Sequence, residues 1–434
     1  MNNEALKIRD LEVVWHPCTQ MKDHEVFPLI PIKKAQGVYL EDFEGNRYID
    51  AVSSWWVNLF GHANPYINQK IKEQLESLEH VILAGFTHEG VVRLSERLVA
   101  LTPKYLDKCF YADNGSSAIE VALKMSYHAH LNDGKRKELF VSLTNSYHGE
   151  TIGALSVGDV QLYKETYEPL LIRSIQTPVP KDATKEAALE AALVFEELCA
   201  QKAQEISAII LEPLVQGAGG MHMYHAEFLV QVRSICDRYA IHMIADEVMV
   251  GFGRTGKLFG CEHAKISPDF MVLSKGLTGG YLPLSVVLTS NAIYDKFYCD
   301  YSEYKAFLHS HSYTGNALAC AAANATLDIF ENESIIEKNL LKAAYMEQKL
   351  EKFKTLPNVK EVRRCGMICA VELEGYMPSE RIGMQVYLYG LKHGVLLRPL
   401  GNVVYFMPPY VITHEEIDVM IDTAFDAIVS LVRA

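Results

Sequence analysis

The 434-residue chain lacks several features that define whole classes of protein. It has no apolar run of the roughly 20 residues that a bilayer-spanning helix needs. Its first ten residues are polar and of mixed charge, unlike a secretory signal. The nine cysteines contain no Cys-x-x-Cys pair, which argues against a disulfide framework and against a zinc module. We therefore expect a cytoplasmic protein with reduced thiols.

Basic residues are also scarce, since 41 Lys and Arg stand against 54 Asp and Glu and give a formal net charge of −13. A field of that sign repels phosphate backbones and anionic lipid surfaces, so neither nucleic acid nor a membrane is an expected partner. The sequence has no internal repeat and no Gly/Ser-rich linker, while 49% apolar and 22% charged residues are ordinary values for a globular protein. Its length predicts roughly two or three domains.

Apolar runs of strand length alternate with helical stretches through the middle of the chain, as at residues 206–211 and 270–273. Strands that are buried on both faces and separated by helices are typical of a parallel sheet. We therefore predict an α/β fold with a mostly parallel central sheet. The expected parts are an N-terminal arm at residues 1–60, a large domain at 61–325 and a smaller C-terminal α+β domain at 326–434.

Charged side chains follow two neighbouring strands of this predicted sheet. Asp246 and Glu247 come after the apolar run 241–245, and Lys275 follows the run 270–273. Ligands of open α/β sheets bind at the carboxyl ends of the strands. There a lysine can form a Schiff base with an aldehyde cofactor, and an aspartate can keep the cofactor's pyridine nitrogen protonated. The alternatives are a surface strand end for the acidic pair and a solvated terminus for the lysine.

Two further strand ends carry candidate binding residues. The turn Gly115-Ser116-Ser117 opens a helix and could offer N–H groups and hydroxyls to a phosphate. The alternative is an ordinary helix cap made by Ser116 or Ser117. Tyr147 follows the strand at 139–143 and could lie flat against a heteroaromatic ring, or it could simply pack in the core.

Two motifs do not support the sites that they suggest. Residues 251–256 match Gly-x-Gly-x-x-Gly but lack the strand, turn and helix context of a dinucleotide site. His222, His225, His309 and His311 lack a third and fourth ligand at recognisable spacing, so no metal site is expected.

Four ordered motifs closely resemble those of the class III, pyridoxal-phosphate-dependent aminotransferases. They are Glu212-Pro, Ala245-Asp-Glu-Val, Gly251-Phe-Gly-Arg-Thr-Gly and Ser274-Lys-Gly. This resemblance implies a fold-type-I transferase with pyridoxal 5'-phosphate as cofactor. It also implies a homodimer in which residues of both chains close each active site.

Further motifs resemble those of the biotin-synthesis branch of that family. They are Trp15-His-Pro, Ser53-Ser-Trp-Trp, the segment 80–88, the segment 215–221 and Arg398-Pro-Leu-Gly. The resemblance implies transfer of an amino group to 8-amino-7-oxononanoate to give 7,8-diaminononanoate, with S-adenosyl-L-methionine as the expected donor. Two rival hypotheses are another class III enzyme, an ω-amino-acid transaminase or aminomutase, and a non-catalytic binding protein of the same fold.

The resemblance also implies roles for individual cofactor-binding residues. Lys275 would be the catalytic residue and hold the cofactor as a Schiff base, Asp246 would pair with the pyridine nitrogen, and Tyr147 would stack on the ring. The phosphate would be held by Gly115 and Ser116, joined by Ser312 from the other subunit, and His311 would be a further cofactor-binding residue.

The same resemblance implies a set of substrate-binding residues. They are Cys18, Trp55, Trp56, Tyr147, Ser310 and Arg398, with the tryptophans as tunnel walls and Arg398 as the clamp for the substrate carboxylate. Two positions depart from the family pattern. Cys18 stands where related enzymes carry a tyrosine, and the loop at 309–316 differs from the His-Gly-Pro-Thr form of some relatives.

Overall fold

The computed structural model describes residues 2–431 of the chain. Its strands are β1 (Ile32–Gln36), β2 (Tyr39–Asp42), β3 (Arg47–Asp50), β4 (Lys108–Ala112), β5 (Leu139–Leu143), β6 (Ser174–Thr177), β7 (Ile206–Leu211), β8 (Val215–Gln216), β9 (His222–Met223), β10 (His242–Asp246), β11 (Phe270–Leu273), β12 (Ser285–Thr289), β13 (Val359–Cys365), β14 (Ile368–Leu373), β15 (Val395–Leu396) and β16 (Val403–Phe406).

The helices are α1 (Asn3–Val13), α2 (Ser53–Trp56), α3 (Pro65–Leu75), α4 (Glu89–Leu101), α5 (Gly115–Asn132), α6 (Ile152–Ser156), α7 (Gln161–Lys164), α8 (Lys185–Lys202), α9 (Glu227–Tyr239), α10 (Asn291–Tyr294), α11 (Ala317–Asn332), α12 (Ile335–Leu350), α13 (Ile382–Lys392) and α14 (His414–Ser430). Short 3₁₀ turns occupy Met21–Glu25, Glu165–Leu170, Gly260–His263, Lys275–Thr278, Tyr301–Glu303, Glu351–Thr355 and Pro378–Glu380. Within residues 2–431, none of these helices combines the length and the apolar character needed to cross a membrane.

The larger of two compact units comprises residues 66–341 and 364–368 and is built on a seven-stranded sheet. The strand order is β4-β12-β11-β10-β7-β5-β6, in which β12 runs antiparallel to both neighbours and the remaining pairs are parallel. The predicted α/β class with a mostly parallel sheet is therefore confirmed. Helix α5 packs on this sheet, since Ala118 and Ala122 share a buried apolar cluster with Ile244 and Val272 of the central strands.

The sheet brings the charged strand ends to one edge. Strands β10 and β11 are parallel neighbours, with Asp246 opposite Val272. The chain that leaves β11 therefore reaches Lys275 at the edge where β10 ends in Asp246. This placement follows from strand direction alone, because parallel strands all end at the same edge of a sheet.

The smaller unit comprises residues 2–65, 342–363 and 369–431 of the described chain. A four-stranded sheet of order β1-β2-β3-β15 joins its two ends, with Val395 opposite Ile49 in parallel pairing. A second sheet has the order β13-β14-β16. Residues 1–60, expected from the sequence as an arm, thus include three strands of a sheet. The domain boundaries expected after residues 60 and 325 stay predictions.

Candidate active site

Asp246 ends β10 as a buried carboxylate. Its Oδ2 lies 2.7 Å from Nδ1 of His148, and its Oδ1 accepts the N–H of Val248 at 3.1 Å. His148 is also buried, so this pair forms away from water. Hydrogen bonds to ionised acceptors are about twice as strong as those between neutral groups, so the imidazole holds the carboxylate in one orientation. The burial of Asp246 and Glu247 excludes the alternative of a surface strand end.

Lys275 stands two residues after β11 and begins the 3₁₀ turn Lys275–Thr278 with a left-handed φ of 45°. Burial lowers the pKa of its ammonium group, while the carboxylates of Asp246 and Glu212 act in the opposite direction. A lowered pKa enlarges the neutral fraction of an amine, and the neutral amine is the nucleophilic form. Lys275 is thus a partly buried amine suited to covalent chemistry, and not a solvated strand terminus.

Glu212 bridges two loops at this edge of the sheet. Its Oε1 accepts the N–H of Tyr147 at 3.1 Å, and its Oε2 accepts the N–H of Gly217 at 2.8 Å. Burial raises the pKa of the Glu212 carboxyl to about 7, opposed by His148 and reinforced by Asp246. Glu212 therefore fixes the main chain at Tyr147, and its charge state is coupled to the groups around it.

Tyr147 is partly buried and held at both ends. Beyond its main-chain bond to Glu212, its hydroxyl donates to Oε1 of Glu150 at 3.0 Å. Its ring meets the ring of Tyr163 edge-on, with centroids 5.6 Å apart. The side chain is thus oriented by contacts at the hydroxyl and at the ring edge, while its predicted stacking on a cofactor ring stays a prediction.

The first turn of α5 is capped by Asn114, whose Oδ1 accepts the N–H of Ser117 at 3.0 Å. The alternative of a cap made by Ser116 or Ser117 is therefore wrong. The Ser116 hydroxyl instead accepts the N–H of Glu150 at 3.3 Å. Gly149 lies so close that a Cβ there would stand 2.0 Å from Ser116 Oγ, and its φ is +123°. Only a glycine fits at this position, and its lack of a side chain allows the loop that carries Tyr147 to approach the N-terminus of α5.

Contacts within the larger unit thus connect most of the predicted cofactor residues. Ser116 touches the Tyr147 loop, Tyr147 is bonded to Glu212, and the charge of Glu212 acts on Lys275. Gly115 sits at the same helix start, where the first N–H groups of a helix have no partner within the helix. The site therefore combines a helix N-terminus, an aromatic ring, a buried acid and an amine.

The loop with Ser310, His311 and Ser312 is held through its main chain. The carbonyl of Ser312 accepts Nε2 of His80 at 2.6 Å, and the carbonyl of His311 accepts the Thr314 hydroxyl at 2.8 Å. The side chains of Ser310 and Ser312 are exposed in the single chain. Their expected roles at a substrate site and at a second subunit's site therefore stay predictions.

The other predicted substrate residues lie in the smaller unit. Trp55 and Arg398 line one cavity of about 380 Å³ whose walls also include Tyr387. Nη2 of Arg398 donates to the main-chain carbonyl of Cys18 at 3.5 Å. Cys18 itself is an exposed residue. The Cys18 carbonyl thus contacts Arg398, a residue that lines the cavity.

The two tryptophans, expected to form one wall, face different surroundings. Trp55 is 44% exposed and lines the cavity, whereas Trp56 is 5% exposed. Nε1 of Trp56 donates to the Tyr405 hydroxyl at 3.0 Å, and the two rings meet edge-on. Trp55 therefore lines the same cavity as Arg398, whereas Trp56 packs against Tyr405. The substrate role of each tryptophan stays a prediction.

This divergence arises because α2 is a left-handed turn. All four of its residues, Ser53–Trp56, have positive φ, from 47° at Ser54 to 75° at Trp56. For residues other than glycine this conformation costs roughly 1–2 kcal/mol each. Such strain persists only where the surrounding structure over-determines it, and it clusters at functional sites.

Sequence reasoning missed two residues of the site, His148 and Glu212. His148 directly follows the candidate Tyr147 in the loop after β5, so a titratable residue beside a candidate was the available signal. Glu212 ends the apolar run of β7 just as Asp246 ends that of β10, and the same strand-end argument would have selected it.

Comparisons with known proteins agree along nearly the whole chain. A family model described as aminotransferase class-III matches residues 19–428. The adenosylmethionine-8-amino-7-oxononanoate aminotransferase of Helicobacter pylori is 56% identical over an alignment of 427 residues that covers 95% of each chain. The crystal structure of the protein of that name from Methanocaldococcus jannaschii has a TM-score of 0.95 and 38% identity, with 99% of both chains covered. An omega transaminase from Pseudomonas jessenii, crystallised in complex with PMP, has a TM-score of 0.91 and 28% identity over 98% of both chains.

Proposed function

The chain belongs to the class-III aminotransferases, and we propose that it transfers an amino group to 8-amino-7-oxononanoate with pyridoxal 5'-phosphate as its cofactor. The product is 7,8-diaminononanoate, an intermediate of biotin synthesis, and S-adenosyl-L-methionine is the expected donor. The observation that carries the proposal is the meeting of a buried, histidine-held Asp246 with Lys275 at adjacent strand ends.

The residues at this edge fit the cofactor. When bound, pyridoxal phosphate supplies an aldehyde that condenses with amines and a ring that accepts electrons from the substrate. Asp246 would hold the ring nitrogen protonated, and His148 would orient that carboxylate through its contact with Oδ2. Gly115 and Ser116 would meet the phosphate at the N-terminus of the 18-residue helix α5, where the helix dipole favours negative charge.

Lys275 has two tasks in this proposal. Its Nζ would hold the cofactor and, as a neutral amine, would take the proton from the donor's reacting carbon. The lowered pKa of Lys275 favours the neutral amine that such a base must be. Tyr147, fixed by Glu212 and Glu150, would cover the ring and keep water from its face.

We assign binding of the acceptor substrate to the cavity that Trp55 and Arg398 line. The side chains of Leu29, Ile30, Leu40, Leu391 and Leu396 give this cavity apolar walls. An aliphatic chain suits such walls, and a terminal carboxylate suits the two-pronged guanidinium of Arg398. The nine cysteines are all free thiols, which fits the proposed cytoplasmic location. The proposed homodimer would bring Ser312 of each chain to the phosphate site of the other chain.

A single-turnover screen tests the proposal. The protein, loaded with pyridoxal phosphate, is mixed with one amino donor at a time, and the absorbance of the cofactor reports its conversion to the amine form. S-adenosyl-L-methionine should convert the cofactor, and 8-amino-7-oxononanoate should restore it while 7,8-diaminononanoate appears by mass spectrometry. Restoration by ω-oxo acids or simple ketones, but not by 8-amino-7-oxononanoate, would instead identify an ω-amino-acid transaminase.

A further inference from the structure

The left-handed turn α2 is anchored by one buried carboxylate. Asp50 ends β3 with a fully buried side chain. Its Oδ1 accepts the main-chain N–H of Ser54 at 2.9 Å, and its Oδ2 accepts the Ser54 hydroxyl at 2.7 Å. Nε2 of His62 lies 2.9 Å from the same Oδ2. Asp50 thus holds both polar groups of the residue that immediately precedes Trp55.

The turn is also held on the side that faces away from the cavity. The Ser53 hydroxyl donates to the carbonyl of Met407 at 2.6 Å, and the Trp56 indole donates to Tyr405. A main-chain hydrogen bond from the N–H of Trp56 to the carbonyl of Val52, 2.8 Å long, closes the turn itself. These contacts hold Ser53 and Trp56, while Asp50 holds Ser54, so the backbone on both sides of Trp55 is constrained.

This anchoring fixes the position of Trp55 in the cavity that also contains the guanidinium of Arg398. Trp55 and Arg398 line the same cavity, and Ser54 lines it as well. A strained backbone that several bonds over-determine has few alternative conformations, so a side chain carried on it has a defined position. A pocket built in this way discriminates between ligands by length, since one methylene too few leaves apolar surface unfilled.

We propose that Asp50 is a positioning residue for acceptor specificity: it holds the left-handed turn so that Trp55 stands at a set distance from Arg398. The cavity then accepts a carboxylate-bearing chain of one length better than shorter homologues. This inference rests on the proposed function, because it takes Trp55 and Arg398 as the two ends of the acceptor site.

The kinetic test compares Asp50→Asn with Asp42→Asn. Asp42 is a matched control, since it is a buried acid at the end of the neighbouring strand β2 and accepts several hydrogen bonds, among them those of Asn3 and Asn46. In Asp50→Asn the KM for 8-amino-7-oxononanoate should rise about tenfold, equivalent to about 1.4 kcal/mol. The preference over an analogue one methylene shorter should fall, and the donor half-reaction should keep its rate. Asp42→Asn should lower thermal stability without changing the chain-length preference.

A second readout needs neither cofactor nor turnover. The chain has three tryptophans, so 5-fluorotryptophan labelling gives three ¹⁹F resonances that single Trp→Phe variants assign. In Asp50→Asn the Trp55 resonance should shift or broaden, while that of Trp15 should not. Ser54→Ala keeps the main-chain bond to Asp50 and loses only the hydroxyl, so it should show a smaller change of the same kind and serves if Asp50→Asn does not fold.

The outcomes separate this inference from the proposed function. An unchanged Trp55 resonance together with an unchanged chain-length preference, in folded Asp50 or Ser54 variants, would overturn the positioning role. If wild-type protein does not use 8-amino-7-oxononanoate at all, the proposed function fails and the acceptor inference fails with it. The ¹⁹F experiment would still measure whether Asp50 holds Trp55.

Discussion

Nδ1 of His148 lies 2.7 Å from Oδ2 of Asp246, and both side chains are buried at the carboxyl edge of the central sheet. The imidazole of His148 therefore orients the Asp246 carboxylate, which would face the cofactor's ring nitrogen. A buried carboxylate needs such a partner, because an unpaired charge is costly to bury.

We expect His148→Ala to lower kcat by about ten- to a hundredfold, because a hydrogen bond to a charged acceptor contributes about 1.5–3 kcal/mol. Pyridoxal phosphate content, measured by absorbance after gel filtration, should remain near that of wild type. His148→Gln, which keeps an amide donor, should recover part of the loss. His222→Ala, which removes a bond to a carbonyl elsewhere in the unit, is the control. An unaltered kcat in folded His148→Ala would show that Asp246 needs no partner.

Lys275→Ala should retain reversible binding of pyridoxal phosphate and lose nearly all turnover, because the phosphate contacts remain and the nucleophile is gone. Borohydride reduction of wild-type protein, followed by peptide mapping, should place the cofactor on the peptide that contains Lys275. Lys265→Ala, at an exposed lysine, should behave as wild type. A label on any other lysine would remove the basis for the site.

Arg398→Lys should weaken binding of 8-amino-7-oxononanoate by about 1 to 3 kcal/mol, since a point charge replaces a two-pronged donor. The KM of the acceptor in steady-state assays measures this loss, and the donor KM should change less. Arg136→Lys, at an exposed ion pair with Glu138, controls for the substitution itself. A normal acceptor KM in the Arg398 variant would move the carboxylate clamp to another residue.

Cys18→Tyr should tighten binding of the acceptor or of S-adenosyl-L-methionine by about 1 kcal/mol, because a phenol can donate where the exposed thiol is a weak, short donor. The cofactor spectrum should not change. Cys18→Phe supplies the ring without the hydroxyl and separates hydrogen bonding from filled space. Equal Michaelis constants in all three proteins would mean that the side chain at position 18 does not reach the substrates.

Acid should destabilise the larger unit through two stacked, buried histidines, His130 and His242, whose ring centroids are 4.0 Å apart. Burial lowers the pKa of His130 to about 4 and that of His242 well below its ordinary value. Well above pH 6.5 both imidazoles are neutral in the folded and in the unfolded chain. As the pH falls from 6.5 towards 4, these histidines bind protons in the unfolded chain but not in the folded chain. The free energy of unfolding therefore decreases over that pH range.

The contribution of His130 to this loss should be about 2 to 3 kcal/mol. Urea unfolding at pH 7.5 and at pH 4.5 measures it as the difference between wild type and His130→Leu. The variant should be less stable at pH 7.5, because its bond to the Ser207 carbonyl is lost, and should lose less stability on acidification. Parallel losses in both proteins would assign the acid sensitivity to other groups.

Local sequence was enough to predict several strands of the central sheet and to select Asp246 and Lys275 as candidate site residues. The apolar runs at β5, β7 and β11 have the bounds that the sequence predicted, because strands buried on both faces are mostly apolar. Asp246 and Lys275 were identifiable because parallel strands all end at one edge, where polar side chains become tolerable.

Contacts between distant segments were decided only by the tertiary structure. The bond from His148 to Asp246 joins residues 98 positions apart, and that from Trp56 to Tyr405 joins residues 349 apart. No local period encodes such pairs. The left-handed turn at Ser53–Trp56 is likewise invisible in the sequence, since none of its residues is a glycine and each prefers another conformation. Asp50 and the surrounding chain hold this turn, which gives the two adjacent tryptophans different surroundings.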